Sequence, residues 1–128
     1  MSDGAVLGPE AATLAAVRAF LDAFGRHDVD SIMAAMTEDC VFENTWPAPD
    51  GERHAGHAAV RRFWDRFFRE NPSAAFETEE MFAAGSRCVV RWIYRWRGPD
   101  GTSGHVRGVD VLRVRDGKVA EKLSYVKG

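Results

Sequence analysis

The stretch HVRGVDVLRVR-DG-KVAEKLSYV, residues 105–126, decides the fold. At its centre, Asp116-Gly117 predicts a two-residue hairpin loop, because the type I′ turn needs positive φ at both central positions. Gly reaches that region freely and Asp at little cost. A two-residue loop also sets a register: Arg115 opposes Lys118 and Val114 opposes Val119. Continued one for one, Leu112 opposes Glu121, Asp110 opposes Leu123 and Gly108 opposes Tyr125. One face of the ribbon then carries Val106, Gly108, Asp110, Leu112, Val114, Val119, Glu121, Leu123 and Tyr125. The other carries Arg107, Arg113, Arg115, Lys118 and Lys122 and is the face expected in water.

The same two-residue period extends upstream. From Arg87 to Arg97, Cys88, Val90, Trp92, Tyr94 and Trp96 share one face, while Arg87, Arg91, Arg95 and Arg97 share the other. Residues 75–82 predict a further strand, with a turn at Ala84–Ser86 and a loop from Gly98 to Gly104. Before residue 72 the period is that of helices. Pro9 and Glu10 suit a first helical turn, and Leu14, Val17, Phe20, Leu21 and Phe24 form one apolar stripe ending near Arg26. Asp28 can cap a short second helix carrying Ile32, Met33 and Met36. Cys40–Trp46 reads as a strand, and Pro47, Pro49, Asp50 and Gly51 as a loop. A third helix follows Gly56, with Val60, Phe63, Trp64, Phe67 and Phe68 on its buried stripe. Helices first and an antiparallel meander after them define an α+β domain. We expect residues 1–8 to be a disordered segment and residues 9–128 to be one domain.

Composition narrows the function. The net charge of -2, from 17 basic and 19 acidic residues, gives no general affinity for polyanions. The basic stripe on the outer sheet face lacks interleaved aromatics for base stacking, so no nucleic-acid partner is expected; a solvated or dimer-facing surface with acidic partners is. No leader-like segment or apolar run long enough for a membrane is visible, which leaves the cytoplasm as the expected compartment. Cys40 and Cys88 read as buried free thiols. His54 and His57 lack a third ligand nearby, so no metal site is expected, and exposed or capping roles are expected instead. Eight Phe and four Trp are many for 128 residues; core packing is the default reading for them, and a surplus beyond the core would line a ligand pocket or an interface.

Asp110 breaks the pattern. It occupies an apolar register, flanked by Leu112, facing Leu123 and with Glu121 on its diagonal. A carboxylate there must be paired, hydrogen-bonded or proton-bound. A buried carboxylic acid can donate a proton at neutral pH, so Asp110 is the candidate catalytic acid/base. The structural alternative is an Asp bonded to Tyr94, Tyr125 or a tryptophan N–H. Trp46, Trp92, Tyr94, Leu112, Leu123 and Tyr125 are candidate pocket-lining residues beside it, with Phe20 and Phe63 closing the pocket from the helices.

The run from Arg107 to Val114, followed by Asp116-Gly117-Lys118-Val119 and Ser124-Tyr125, resembles the C-terminal signature of the SnoaL-like proteins, a branch of the nuclear transport factor 2-like superfamily. Arg26-His27-Asp28, Asp39-Cys40-Val41-Phe42-Glu43-Asn44 and Gly56-His57-Ala58-Ala59-Val60 resemble the same family. The resemblance implies a cone-shaped, strongly curved antiparallel sheet that encloses a pocket with three helices from the N-terminal half. It also implies a homodimer formed through the sheet, and Phe42 and Asn44 among the pocket residues. Relatives include polyketide cyclases, ketosteroid isomerases, epoxide hydrolases and dehydratases, most of which use side-chain acid/base chemistry without metal or organic cofactor. Of the three ketosteroid isomerase positions, the general base matches Asn44 and the oxyanion-hole tyrosine matches Phe20, neither of which has the needed group; only the protonated aspartate matches, at Asp110. Arg91 lies on the outer register, away from any pair of aspartates that an epoxide hydrolase would require. The expected function is binding of a small hydrophobic polyketide-, terpenoid- or steroid-like molecule, with cyclase, isomerase or dehydratase chemistry at Asp110. The alternative is a non-catalytic binding or dimerisation module.

Overall fold

The computed structural model describes residues 8–127. The disordered segment expected at residues 1–8 therefore lies, Gly8 apart, outside the described residues. Helix α1 spans Pro9–Gly25, α2 Val29–Ala34 and α3 His57–Glu70; the strands are β1 Met36–Glu43, β2 Arg53–Ala55, β3 Ala75–Ala84, β4 Arg87–Arg97, β5 Ser103–Arg115 and β6 Lys118–Val126. The strands form one sheet in the order β2-β1-β6-β5-β4-β3. All pairings are antiparallel except that of β1 with β6, which is parallel. The helices pack on one face of this curved, unclosed sheet, and the core lies between.

Local signals explain most boundaries. Pro9 opens α1, where its missing N–H costs nothing. Asp28 caps α2 by accepting hydrogen bonds from the Ser31 N–H at 3.1 Å and the Ser31 hydroxyl at 2.7 Å. Near its start α1 also holds the β3–β4 turn: Thr13 donates to the Gly85 carbonyl at 2.7 Å, and Glu10 accepts from the Gly85 N–H at 2.8 Å. His27, at φ 57, places its imidazole 2.8 Å from the Ala74 carbonyl and stacks it on Phe68. Between sheet and helices lie Val17, Phe20, Ile32, Met33, Val60, Trp64, Val90, Leu112 and Val119, none more than 2% exposed.

Four expectations are corrected. First, β1 runs from Met36 to Glu43 rather than from Cys40 to Trp46. Asn44 turns the chain instead: its side-chain oxygen accepts from the Glu52 N–H at 2.6 Å and its N–H donates to the Glu52 carbonyl at 3.1 Å. Pro47 and Pro49 have no N–H to continue a ladder. Second, the segment after this loop forms β2, a three-residue strand paired with β1. Third, His54, expected exposed or capping, sits in β2 with its ring against Phe42 and Phe63.

The fourth correction concerns the hairpin itself. Its first rungs, Arg115 with Lys118 and Val114 with Val119, are those expected, but the next is Arg113 with Glu121, which leaves Ala120 as an extra residue in β6. Beyond this β-bulge Leu112 faces Lys122, Val111 faces Leu123 and Asp110 faces Ser124. Every later β6 side chain has therefore changed faces. Both Val119 and Ala120 are buried, at 0% and 7% exposure. Glu121 emerges on the outer face, where Arg87 and Arg113 donate to its carboxylate at 2.9 and 3.3 Å. Burial alone would raise the Glu121 carboxyl; the two arginine bonds outweigh it and hold the group below its ordinary value. An unbulged strand would instead have placed Glu121 inside, near Asp110, with no cation between the two carboxylates.

The outer face is a ladder of ion pairs, Arg91 with Glu80, Arg95 with Glu77, Arg107 with Glu79 and Arg115 with Asp39. Through it runs an apolar row, Phe82–Val89–Val111–Leu123, in which successive residues are cross-strand partners. Phe82 is 51% exposed.

Candidate functional site: an aromatic cavity with a lysine–aspartate floor

Helices and sheet leave a cavity of about 140 Å³ between them. At about 10–15 Å³ per water position, that is room for roughly ten waters. Its walls are rings: Phe20 and Phe24 from α1, Phe42 from β1, Phe63, Trp64 and Phe67 from α3, and Phe76, Trp92 and Tyr94 from β3 and β4. The rings pack at the offset and edge-on geometries that aromatic quadrupoles favour: Phe24 meets Trp64 edge-on at 5.0 Å, and Phe76 stacks on Tyr94 at 4.6 Å. Trp92 is seated by Gly108, where a Cβ would lie 2.5 Å from the indole and 2.4 Å from the Tyr125 carbonyl oxygen. Burial pushes the Tyr94 phenol above its ordinary value.

Two charged residues, Asp110 and Lys122, line this cavity, and they are a pair. Lys122 Nζ lies 3.1 Å from Asp110 Oδ2, with the two side chains 8% and 6% exposed. Ser124 completes the unit: its hydroxyl donates to Asp110 Oδ1 at 2.6 Å and accepts from Lys122 Nζ at 3.0 Å. The ammonium also stands over three ring faces, 4.7 Å from the centroid of Phe42, 5.5 Å from Trp64 and 5.8 Å from Phe24. A cation with that many rings around it recovers part of the solvation it has lost. The indole N–H groups of Trp64 and Trp92 are buried without a hydrogen-bond partner among the described residues.

Of the residues singled out in the sequence, Phe20, Phe42, Asn44, Phe63, Trp92, Tyr94 and Asp110 line the cavity. Leu112 is fully buried in the core and does not reach it. Three others are corrected. Leu123 and Tyr125 face outward because of the Ala120 bulge, and Tyr125 is 54% exposed. Trp46 sits in the loop after β1 and is 76% exposed. Lys122 and Ser124, read as an outer-face residue and as part of a family signature, are the functional candidates that sequence reasoning missed. The one available signal was the adjacent pair Val119-Ala120, two small apolar residues where strict alternation allows one. Among the described residues no group of three His, Cys, Asp or Glu could hold a metal ion, and no helix is long and apolar enough to cross a membrane. Cys40 and Cys88 are buried free thiols; burial pushes Cys40 up to about 11 and raises Cys88 as well.

A curved, unclosed six-stranded sheet capped by three helices, with a carboxylate turned inward from its long fifth strand, defines a nuclear transport factor 2-like domain. More narrowly, residues 17–122 match the SnoaL-like domain model, and the chain belongs to that family. It is similar to a nuclear transport factor 2-like protein of unknown function from Mesorhizobium loti, at 41% identity over 100% of this chain and 98% of that one, with a TM-score of 0.79. A candidate polyketide cyclase from Xanthomonas campestris pv. campestris shares 21% identity over 94% and 93% of the two chains, with a TM-score of 0.75. TerC, crystallised with polyporic acid, shares 20% over 91% and 92%, with a TM-score of 0.77. No curated protein matches the chain.

Proposed function

We propose that this protein binds a small, largely apolar polyketide-, terpenoid- or steroid-like molecule in the aromatic cavity, and that the Asp110–Lys122–Ser124 unit reads one oxygen of it. The observation that carries the reading is the contrast between nine aromatic walls and a single charged cluster at the floor. Such a site orients an apolar body by one polar contact. The chemistry it supports is cofactor-independent acid/base catalysis on a carbonyl compound: cyclisation, isomerisation or dehydration. The neighbour described as a candidate polyketide cyclase is in keeping with that class. A second reading is favoured by Asp110, whose two oxygens are already engaged by Ser124 and Lys122. A carboxylate so occupied suits a module that holds its ligand without transforming it.

A thermal-shift panel of aromatic polyketides, steroids, terpenoid ketones and polyporic acid tests the proposal. A compound at about 100 times its dissociation constant adds roughly 2.7 kcal/mol of stability. Stabilisation by a carbonyl compound, weakened in Asp110→Asn, is the expected result, and turnover of that compound then separates enzyme from binding module. A panel in which nothing shifts the melting temperature contradicts the proposal.

The outer face supports a second copy as partner. The row Phe82–Val89–Val111–Leu123, exposed at Phe82 and half-buried at the other three, crosses four strands, and contiguous apolar surface of this kind is characteristic of an interface. By size-exclusion chromatography with light scattering, wild type at micromolar concentration should run as a dimer and Val111→Glu as a monomer. A monomeric wild type would rule the interface out.

A further inference from the structure

We infer that Lys122, rather than Asp110, is the residue that contacts the ligand, and that the cavity takes a neutral aromatic carbonyl compound; the inference rests on the binding reading above. A lysine ammonium has three N–H donors and no acceptor. Among the described residues its one hydrogen-bond acceptor is Ser124 Oγ at 3.0 Å, with Asp110 Oδ2 as its ion-pair partner at 3.1 Å. At least one N–H is left without an acceptor among them. The rings nearest the ammonium, Phe42, Trp64 and Phe24, are themselves cavity walls. Asp110, by contrast, accepts from Ser124 on one oxygen and meets Lys122 on the other. It is a positioning residue: it holds the lysine in one rotamer in surroundings that would otherwise exclude a charge.

The floor therefore offers the ligand a donor, and the matching ligand group is an acceptor. Charge decides which kind. Asp110 and Lys122 together carry no net charge, and a ligand carboxylate would place two anions around one cation. A neutral ketone oxygen meets the free N–H without that repulsion, and the rings hold an aromatic body at the size the cavity sets.

The test compares 1-tetralone with tetralin, the same two-ring skeleton with and without its carbonyl, by isothermal titration calorimetry. A hydrogen bond from a charged donor should favour the ketone by roughly 10- to 100-fold in wild type. The preference should persist in Lys122→Arg, which keeps a cationic donor paired with Asp110. It should fall to about one in the double variant Lys122→Met/Asp110→Asn, which leaves no unpaired charge behind. Tetralin is the internal check, since its binding reports an intact cavity in each variant. Equal affinities of wild type for the two compounds, or a preference that survives in the double variant, overturns the inference while the apolar pocket stands. Failure of wild type to bind either compound overturns the pocket reading and this inference with it.

Discussion

Inserting one alanine after Ala120 should cost the protein its fold. The bulge already takes up one extra residue, so a second one shifts the rest of β6 by one position against β5 and every residue from Glu121 onward changes faces. Lys122 and Ser124 would leave the interior, stranding Asp110 in a site where it is 4% exposed. Glu121 would leave Arg87 and Arg113 and enter the core beside it. Removing one partner of a buried ion pair costs about 3–5 kcal/mol, and burying a second carboxylate adds to that. The total reaches the whole stability of a typical domain, about 5–15 kcal/mol. Near-ultraviolet circular dichroism, which reports the packing of buried Trp64 and Trp92, should lose its fine structure, and the thermal transition should broaden or vanish. Ala120→Gly keeps the chain length and should cost only about 1 kcal/mol. An insertion variant that melts cooperatively within a few degrees of wild type would mean that the bulge does not set the register of the site.

The second large effect belongs to the pair itself. Lys122→Met keeps the bulk of the side chain against Phe42 and Trp64 but leaves the Asp110 carboxylate without its cation, at an expected cost of about 3–5 kcal/mol in urea unfolding. Asp110→Asn leaves Lys122 uncompensated and should be destabilising in the same way. The double variant should be less damaged than the sum of the two by about 2 kcal/mol or more, the size of coupling seen between residues in direct contact. Simple additivity would mean that water, rather than each partner, solvates the two charges, and the ammonium could not then be held as a fixed donor.

Much of this architecture is legible residue by residue. The alternation of Cys88, Val90, Trp92 and Tyr94 against Arg87, Arg91 and Arg95 predicts β4 and its inner face, and Asp116-Gly117 predicts the hairpin, because both signals are local. The aromatic wall is legible for the same reason: Phe20, Phe63, Trp92 and Tyr94 each sit on the buried phase of an element whose period is clear. Asp110 stands out because its neighbours two positions away, Gly108 and Leu112, put it on the inner face whatever happens in β6.

Ala120 is different. The run Val119-Ala120-Glu121-Lys122 is compatible with two registers that differ by one residue, and within β6 only the small pair Val119-Ala120 hints at the bulge. The choice is made by charges distant in sequence: Arg87 and Arg113 draw Glu121 outward, and Asp110 draws Lys122 inward. Trp46 is likewise placed by Asn44 and Glu52 closing a loop across its base rather than by its own hydrophobicity. From sequence alone the protein has its helices, its hairpin, its α+β order and one inward carboxylate, all of which follow from short-range periodicity and turn chemistry. The partner of that carboxylate, and with it the site's polarity, was decided only by the tertiary structure, because a buried ion pair is an agreement between strands that no single strand encodes.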